Sequence, residues 1–166
     1  MKQIHFTIFL LLISFVAFSQ QNPVILGAEQ TKAYLPILKN KRVALFSNHT
    51  GMVGSKHTLD ILLENKINVV AIFSPEHGFR GNADAGEHVS SSVDEKTGVP
   101  ILSLYDGNLG RPSEANMRKF DILVVDIQDV GLRFYTYYAS MVRLMDACAE
   151  YNRKMLILDR PNPNGF

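Results

Sequence analysis

The sequence predicts an α/β fold of the Rossmann-like type, in which a mostly parallel sheet is covered by helices on both faces. Two observations support this. From Lys41 onward, short apolar runs alternate with amphipathic helical patterns, and each run ends in a cluster of polar residues. Alternating strands and helices imply right-handed crossovers between parallel strands. Because ligands of such sheets bind beyond the carboxyl ends of the strands, the polar clusters are expected to share one site.

The first 19 residues have the pattern of a secretory signal. Lys2 precedes an apolar stretch from Ile8 to Phe18, and Ala17 and Ser19 supply the small residues of a cleavage site. The stretch is shorter than the roughly 20 residues of a membrane-spanning helix. We therefore expect the mature protein to be periplasmic or secreted, with no membrane association after signal removal.

The rest of the chain divides into a lead-in segment and one domain. Residues 20–40 are expected to hold a helix from Glu29 to Leu38, broken or kinked by Pro36. Residues 41–166 are expected to form a Rossmann-like catalytic domain. The chain stops soon after an apolar strand, where a covering helix normally follows, so this domain is expected to be incomplete at its C-terminal end.

Five strands are predicted within the domain. They lie at Arg42–Ser47, Val69–Phe73, Pro100–Leu104, Asp121–Asp126 and Lys154–Leu158. A long loop, Ser74–Gly98, follows the second strand, and loops of that length are usually functional.

Three helices are predicted between the strands. Ser55 is a plausible N-cap for a helix that ends at Asn65, and Ser113 for a short helix that ends near Lys119. The clearest helix is Thr136–Tyr151, because apolar residues recur in it at three- and four-residue spacing. Its predicted core stripe consists of Tyr138, Met141, Val142, Met145 and Cys148.

Composition excludes several functional classes. The formal charge is +1 and the basic residues are scattered, which argues against nucleic acid as a partner. The glycine spacing after the first strand fits neither the dinucleotide nor the phosphate-loop fingerprint, so no cofactor is predicted. His49, His77 and His88 lack the spacing of an HExxH site. No metal is therefore predicted, and a metal-dependent hydrolase remains the weaker alternative.

Glu76 is the strongest candidate for chemistry. It follows Ser74 and Pro75 at the end of the second strand and precedes His77. A carboxylic acid at such a rim can donate a proton to a leaving group. The alternative is that Glu76 only caps the loop or pairs with Arg80.

Further polar residues follow the other strands. We expect them to bind the ligand, although solvated loop charges and core tyrosines are the alternative for each. Arg133 offers a bidentate partner for a carboxylate, and the tyrosines offer flat faces for a sugar ring. The predicted binding residues are Asn48, His49, Arg80, Glu87, Gln128, Asp129, Arg133, Tyr135, Asp159, Arg160 and Asn162.

Four segments together resemble the bacterial exo-β-N-acetylmuramidases. These are SPEHGFRG (Ser74–Gly81), Ala85–Glu87, DIQDVGLRFYTY (Asp126–Tyr137) and LDRPNPNG (Leu158–Gly165). The resemblance implies a Rossmann-like domain joined to a smaller C-terminal domain. It also implies release of terminal N-acetylmuramic acid from the non-reducing end of peptidoglycan fragments.

Carried onto this sequence, the resemblance makes Glu76 the catalytic acid and places His77 and Asp126 beside it in the catalytic site. Glu87, Asp126, Asp129 and the substrate's own acetamido group are the open alternatives for the second catalytic group. The lactyl carboxylate of muramic acid would meet Arg133 or Arg80. A periplasmic module that binds cell-wall sugars without cleaving them is the alternative function.

Overall fold

A computed structural model describes residues 24–80, 92–104 and 110–164. The predicted signal peptide, Glu87 and His88 lie outside these ranges. Within them, no helix combines the length and apolar character needed to cross a membrane.

After an initial helical segment, helices separate groups of one to three strands along the chain. The helices are α1 (Thr31–Leu38), α2 (Thr58–Glu64), α3 (Glu114–Met117) and α4 (Thr136–Glu150). The strands are β1 (Arg42–Ser47), β2 (Met52–Val53), β3 (Lys56–His57), β4 (Asn68–Ser74), β5 (Ser92–Val93), β6 (Pro100–Ser103), β7 (Ile122–Asp126) and β8 (Lys154–Ile157).

The main sheet has the strand order β5-β6-β4-β1-β7-β8. β6, β4, β1, β7 and β8 run parallel, and β5 is an antiparallel edge strand. Numbered among themselves, the parallel strands have the order 3-2-1-4-5 of a Rossmann sheet. The predicted fold class is confirmed. The order reverses between β1 and β7, so the carboxyl ends of these two strands mark the expected ligand crevice.

Alternating side chains of β1 feed two separate cores. Val43 and Leu45 pack with α1 and α2 on one face, whereas Ala44 and Phe46 pack with α3 and α4 on the other. Both faces are therefore covered, as a parallel sheet requires.

Two helix starts test the predicted caps. Ser113 caps α3, because its Oγ accepts from the Asn116 amide at 3.3 Å. The predicted Ser55 cap is wrong: a short β2–β3 hairpin occupies that region, and α2 starts only at Thr58. Its N-cap is His57, whose ring nitrogen Nδ1 accepts from the Leu59 amide at 3.1 Å.

The predicted apolar stripe of α4 is one position out of register. Tyr138 is 63% exposed and Met145 is 42% exposed. The polar Ser140 lies on the true buried face and hides its apolar periodicity. That face consists of Tyr137, Ser140, Leu144, Ala147 and Cys148. In α1, the helix continues through Pro36 and ends at Leu38.

Candidate active site

The carboxyl ends of β1, β4 and β7 bring distant segments together. The Thr50 hydroxyl oxygen, after β1, accepts from the Gln128 amide at 3.2 Å, after β7. The Gln128 side chain in turn donates to the Pro161 carbonyl at 2.9 Å, after β8. A further bond joins the loop after β4 to the start of α4: the Thr136 hydroxyl donates to Glu76 Oε2 at 2.8 Å. The polar clusters that follow these strands thus meet at one rim.

Asn48 lies buried where β1 ends. Its Oδ1 accepts from both the amide and the hydroxyl of Thr50, at 3.0 and 2.6 Å. These two bonds fix the side chain, and they leave the Nδ2 buried with no hydrogen-bond partner among the described residues. Gly51 is required in this turn, because a Cβ there would collide with the Ser47 hydroxyl. The neighbouring His49 is exposed.

His57 supports Asn48 from behind. Since its Nδ1 accepts from the Leu59 amide, its proton lies on Nε2, which donates to the Asn48 carbonyl at 2.8 Å. Burial, assisted by the charge of Arg80, lowers the pKa of His57 below its usual value, although the Asn48 bond opposes that shift. His57 is therefore a neutral, structural histidine.

Asp126 ends β7 and is 0% exposed. Arg160 donates to it twice, from Nε at 2.6 Å and from Nη2 at 3.1 Å. Thr58 donates to its Oδ2, and Arg160 Nη2 also reaches the Met52 carbonyl at 3.0 Å. Burying two charges is favourable only when they are paired and hydrogen-bonded. Asp126 and Arg160, predicted as catalytic and binding residues, therefore hold each other.

Glu76 occupies a tight turn directly after β4. The Gly78 amide donates to the Pro75 carbonyl at 3.1 Å, and His77 at the third position has a φ of 70°. That left-handed conformation is the one a type II turn requires at this position. The turn leaves Glu76 partly exposed at the rim, where Thr136 holds one of its carboxylate oxygens.

Tyr137 is buried near Glu76. It is 2% exposed, and its ring packs edge-on against Tyr135 at a centroid distance of 4.6 Å. Burial and the Tyr135 hydroxyl raise the pKa of Tyr137 to about 12, the charge of Glu76 adds to the shift, and Asn48 opposes it. The phenol is thus neutral and lies among these three polar side chains.

Arg80, which was expected to bind the ligand or to pair with Glu76, forms an ion pair with Asp94. It forms a two-point ion pair with Asp94, with both bonds at 2.9 Å, and lies 4.7 Å over the Phe79 ring. Burial raises the pKa of Asp94, but the hydrogen bonds from Arg80 and Thr97 outweigh burial and hold it below its usual value. The structure therefore places Arg80 in a structural pair with Asp94.

The remaining predicted residues line the loops after β7 and β8. Asp129 Oδ1 accepts from the Gly131 amide at 2.7 Å, whereas its Oδ2 is buried without a described partner. Arg133 is exposed. Asn162 lies against Gly131, where a Cβ would collide with its amide. A cavity of about 260 Å³ opens beside this loop, lined in part by Asp129, Tyr137, Asp159 and Arg160.

Sequence reasoning gave no role to the two threonines that donate to Asp126 and Glu76, or to the buried tyrosine near Glu76. Thr58 lies outside the quoted motifs, whereas Thr136 and Tyr137 end the segment DIQDVGLRFYTY without an individual role. The available signal was their position, because a threonine at the first turn of a helix that follows a polar loop can reach a neighbouring strand end. Across the described residues, no three His, Cys, Asp or Glu side chains are grouped so as to hold a metal.

Comparison with known proteins identifies the family of the chain. The family profile described as "Exo-beta-N-acetylmuramidase NamZ, N-terminal" matches residues 43–166. The chain belongs to the NamZ exo-β-N-acetylmuramidase family. The resemblance inferred from the sequence motifs is confirmed.

Individual NamZ relatives match over most of the chain. It is 49% identical over 134 residues to the peptidoglycan β-N-acetylmuramidase NamZ of Bacillus subtilis, an alignment that covers 80% of this chain and 32% of that protein. Two DUF1343 family crystal structures from Bacteroides fragilis, 76% and 40% identical, have TM-scores of 0.75 and cover 87% and 85% of this chain and 36% of theirs. The chain therefore spans about a third of the length of these relatives.

Proposed function

We propose that the protein is an exported glycoside hydrolase that releases terminal N-acetylmuramic acid from the non-reducing end of peptidoglycan fragments. Glu76 is its general acid. Beyond the family relationship, one observation supports the proposal. Glu76 is partly exposed at the rim of the sheet, and the Thr136 hydroxyl donates a hydrogen bond to its carboxylate.

The two predicted carboxylates differ in what they can do. Glycoside hydrolysis needs a carboxylic acid that protonates the leaving oxygen, and Glu76 has the required access to solvent. Asp126 is fully buried and neutralised by Arg160. Its part in the site is to hold the loop that follows β8. Asp129 and Glu87 remain candidates for the second catalytic group, as does the substrate's acetamido group.

Two of the predicted binding arginines already pair with aspartates of this chain, so they are less available to bind the carboxylate of a substrate. Arg80 is bound to Asp94 and Arg160 to Asp126. Arg133 is exposed on the loop that leads into α4, three residues before Thr136. Arg133 therefore binds the lactyl carboxylate of the sugar, and Tyr135 stacks against the sugar ring.

Export rests on the sequence of residues 1–19. A cleaved signal would bring the protein to the periplasm or the exterior, which is where cell-wall sugars are found. Detection of the mature N-terminus near Gln20 in a secreted or periplasmic fraction tests this part of the proposal.

The catalytic assignment is tested by Glu76→Gln in the complete natural protein. We expect turnover of a chromogenic N-acetylmuramide to fall about a hundredfold or more, the usual contribution of a general acid. Glu64→Gln is the matched control, because Glu64 is exposed and pairs only with Lys56 among the described residues. Equal turnover by wild type and Glu76→Gln would refute the assignment. Saturable muropeptide binding without product would support a non-catalytic binding module instead.

A further inference from the structure

Thr136 contacts the proposed acid from a separate part of the chain. It is the first residue of α4, and its hydroxyl donates to Glu76 Oε2 at 2.8 Å across a separation of 60 residues. The Glu76 turn and the start of α4 are thus joined at the rim by a side-chain hydrogen bond.

The helix start gives the Thr136 hydroxyl a fixed position. Tyr137, Ser140 and Leu144 anchor the first three turns of α4 with 2%, 0% and 0% exposure. The N-cap residue, Tyr135, supplies no side-chain capping bond. The first turn of α4, whose partial positive charge favours an acidic group, therefore lies beside Glu76.

We propose that Thr136 is a positioning residue that selects the carboxylate oxygen through which Glu76 delivers its proton. The inference rests on the proposed function, in which Glu76 is the general acid. In a neutral carboxylic acid the carbonyl oxygen is the better acceptor, so the oxygen that accepts from Thr136 is the carbonyl oxygen. The acidic proton is consequently on Oε1.

The proton transfer balances on these atoms. As the bond between the sugar carbon and the leaving oxygen breaks, its electron pair stays on that oxygen, which takes the proton from Oε1. Glu76 is left as a carboxylate. Thr136 keeps its own hydrogen and continues to donate to Oε2, where the bond is stronger because the acceptor is now charged.

Thr136→Val removes the donor and keeps the branched shape of the side chain. We expect kcat to fall about tenfold or more, the size of one hydrogen bond to a charged group, with KM little changed. The basic limb of the pH–rate profile should move to higher pH, because the carboxylate product has lost a stabilising donor. Thr136→Ser keeps the hydroxyl and should restore most of kcat and the original profile.

Thr97→Val is the matched control. The Thr97 hydroxyl also donates to a carboxylate, Asp94 Oδ2 at 2.6 Å, but that carboxylate forms the structural pair with Arg80. This variant should lower the free energy of unfolding while leaving kcat and the pH–rate profile as in wild type.

The measurement is kcat and KM of the complete natural protein on a chromogenic N-acetylmuramide across a range of pH, with unfolding curves for every variant. A wild-type profile in Thr136→Val, or a Thr136→Ser variant as impaired as Thr136→Val, would overturn the positioning role while leaving Glu76 as the acid. An inactive wild type, or an active Glu76→Gln, would refute the proposed function and this inference with it.

Discussion

Asp126 and Glu76, at the carboxyl end of the sheet, each accept a hydrogen bond from a threonine at the start of a helix, but their surroundings differ. Thr58 begins α2 and donates to Asp126, and Thr136 begins α4 and donates to Glu76. Asp126 is completely buried and also paired with Arg160, whereas Glu76 is partly exposed.

The difference separates a structural acid from one that is available for chemistry. A buried carboxylate must be neutralised, because desolvation of a lone charge costs several kcal/mol. Asp126 meets this need by linking β7, the start of α2 and the loop after β8. Glu76 accepts a hydrogen bond from Thr136 and is partly exposed, which is what the proposed general acid needs to reach a substrate.

The largest expected effect is on stability, at the buried carboxylate. Asp126→Asn removes the negative charge and leaves the Arg160 guanidinium, 6% exposed, without its counter-ion. We expect the free energy of unfolding to fall by about 3 kcal/mol or more, measured by chemical denaturation. A double variant, Asp126→Leu with Arg160→Met, removes both charges and should recover much of that loss. If Asp126→Asn lowered the free energy of unfolding by less than about 0.5 kcal/mol, the Asp126–Arg160 pair would not be what stabilises this part of the fold.

A loss of stability of similar size is expected in α4, which carries Thr136, the residue that donates to Glu76. Leu144 is 0% exposed, and its neighbour Met145 is 42% exposed. Leu144→Ala should lower the free energy of unfolding by about 2–5 kcal/mol through cavity formation. Met145→Ala should change it by about 0.5 kcal/mol or less. A larger loss in Met145→Ala than in Leu144→Ala would instead support the helix register predicted from the sequence.

The smallest effect is a pH dependence at His57, which hydrogen-bonds the Asn48 carbonyl. Burial lowers its pKa in the folded protein below the 6.5 of a free side chain. The unfolded chain therefore takes up the proton more readily, so the free energy of unfolding should decrease as the pH falls below about 6.5. His57→Asn keeps an N-cap acceptor but cannot titrate. Unfolding curves of this variant should show less dependence on pH between 7.5 and 5.5, and an unchanged dependence would assign the effect to other groups.

The sequence predicted the sheet better than it predicted the contacts at the rim. The β1 boundaries, Arg42–Ser47, were predicted correctly, because a continuous apolar run bounded by polar residues is characteristic of a buried strand. Asp126 and Arg160 were identified separately, but their pairing depends on how the loop after β8 folds back, and nothing in local sequence encodes that. The α4 register failed because Ser140 lies on the buried face.

Among the site residues, the predicted role of Glu76 depended on its position at the end of a strand. The position of Thr136 at a helix start marked it only as able to reach some strand end. Its pairing with Glu76, 60 residues away, depends on a crossover that is a property of the whole sheet. Arg80 illustrates the converse. It lies close to Glu76 in sequence, and the structure turns it toward Asp94 instead.

The central claim is tested most directly by comparing Glu76→Gln with Asp126→Asn for both turnover and the free energy of unfolding. The account predicts that Glu76→Gln loses about a hundredfold in turnover with little loss of stability. It also predicts that Asp126→Asn loses about 3 kcal/mol or more of stability. A stable Asp126→Asn without activity, together with an active Glu76→Gln, would contradict it.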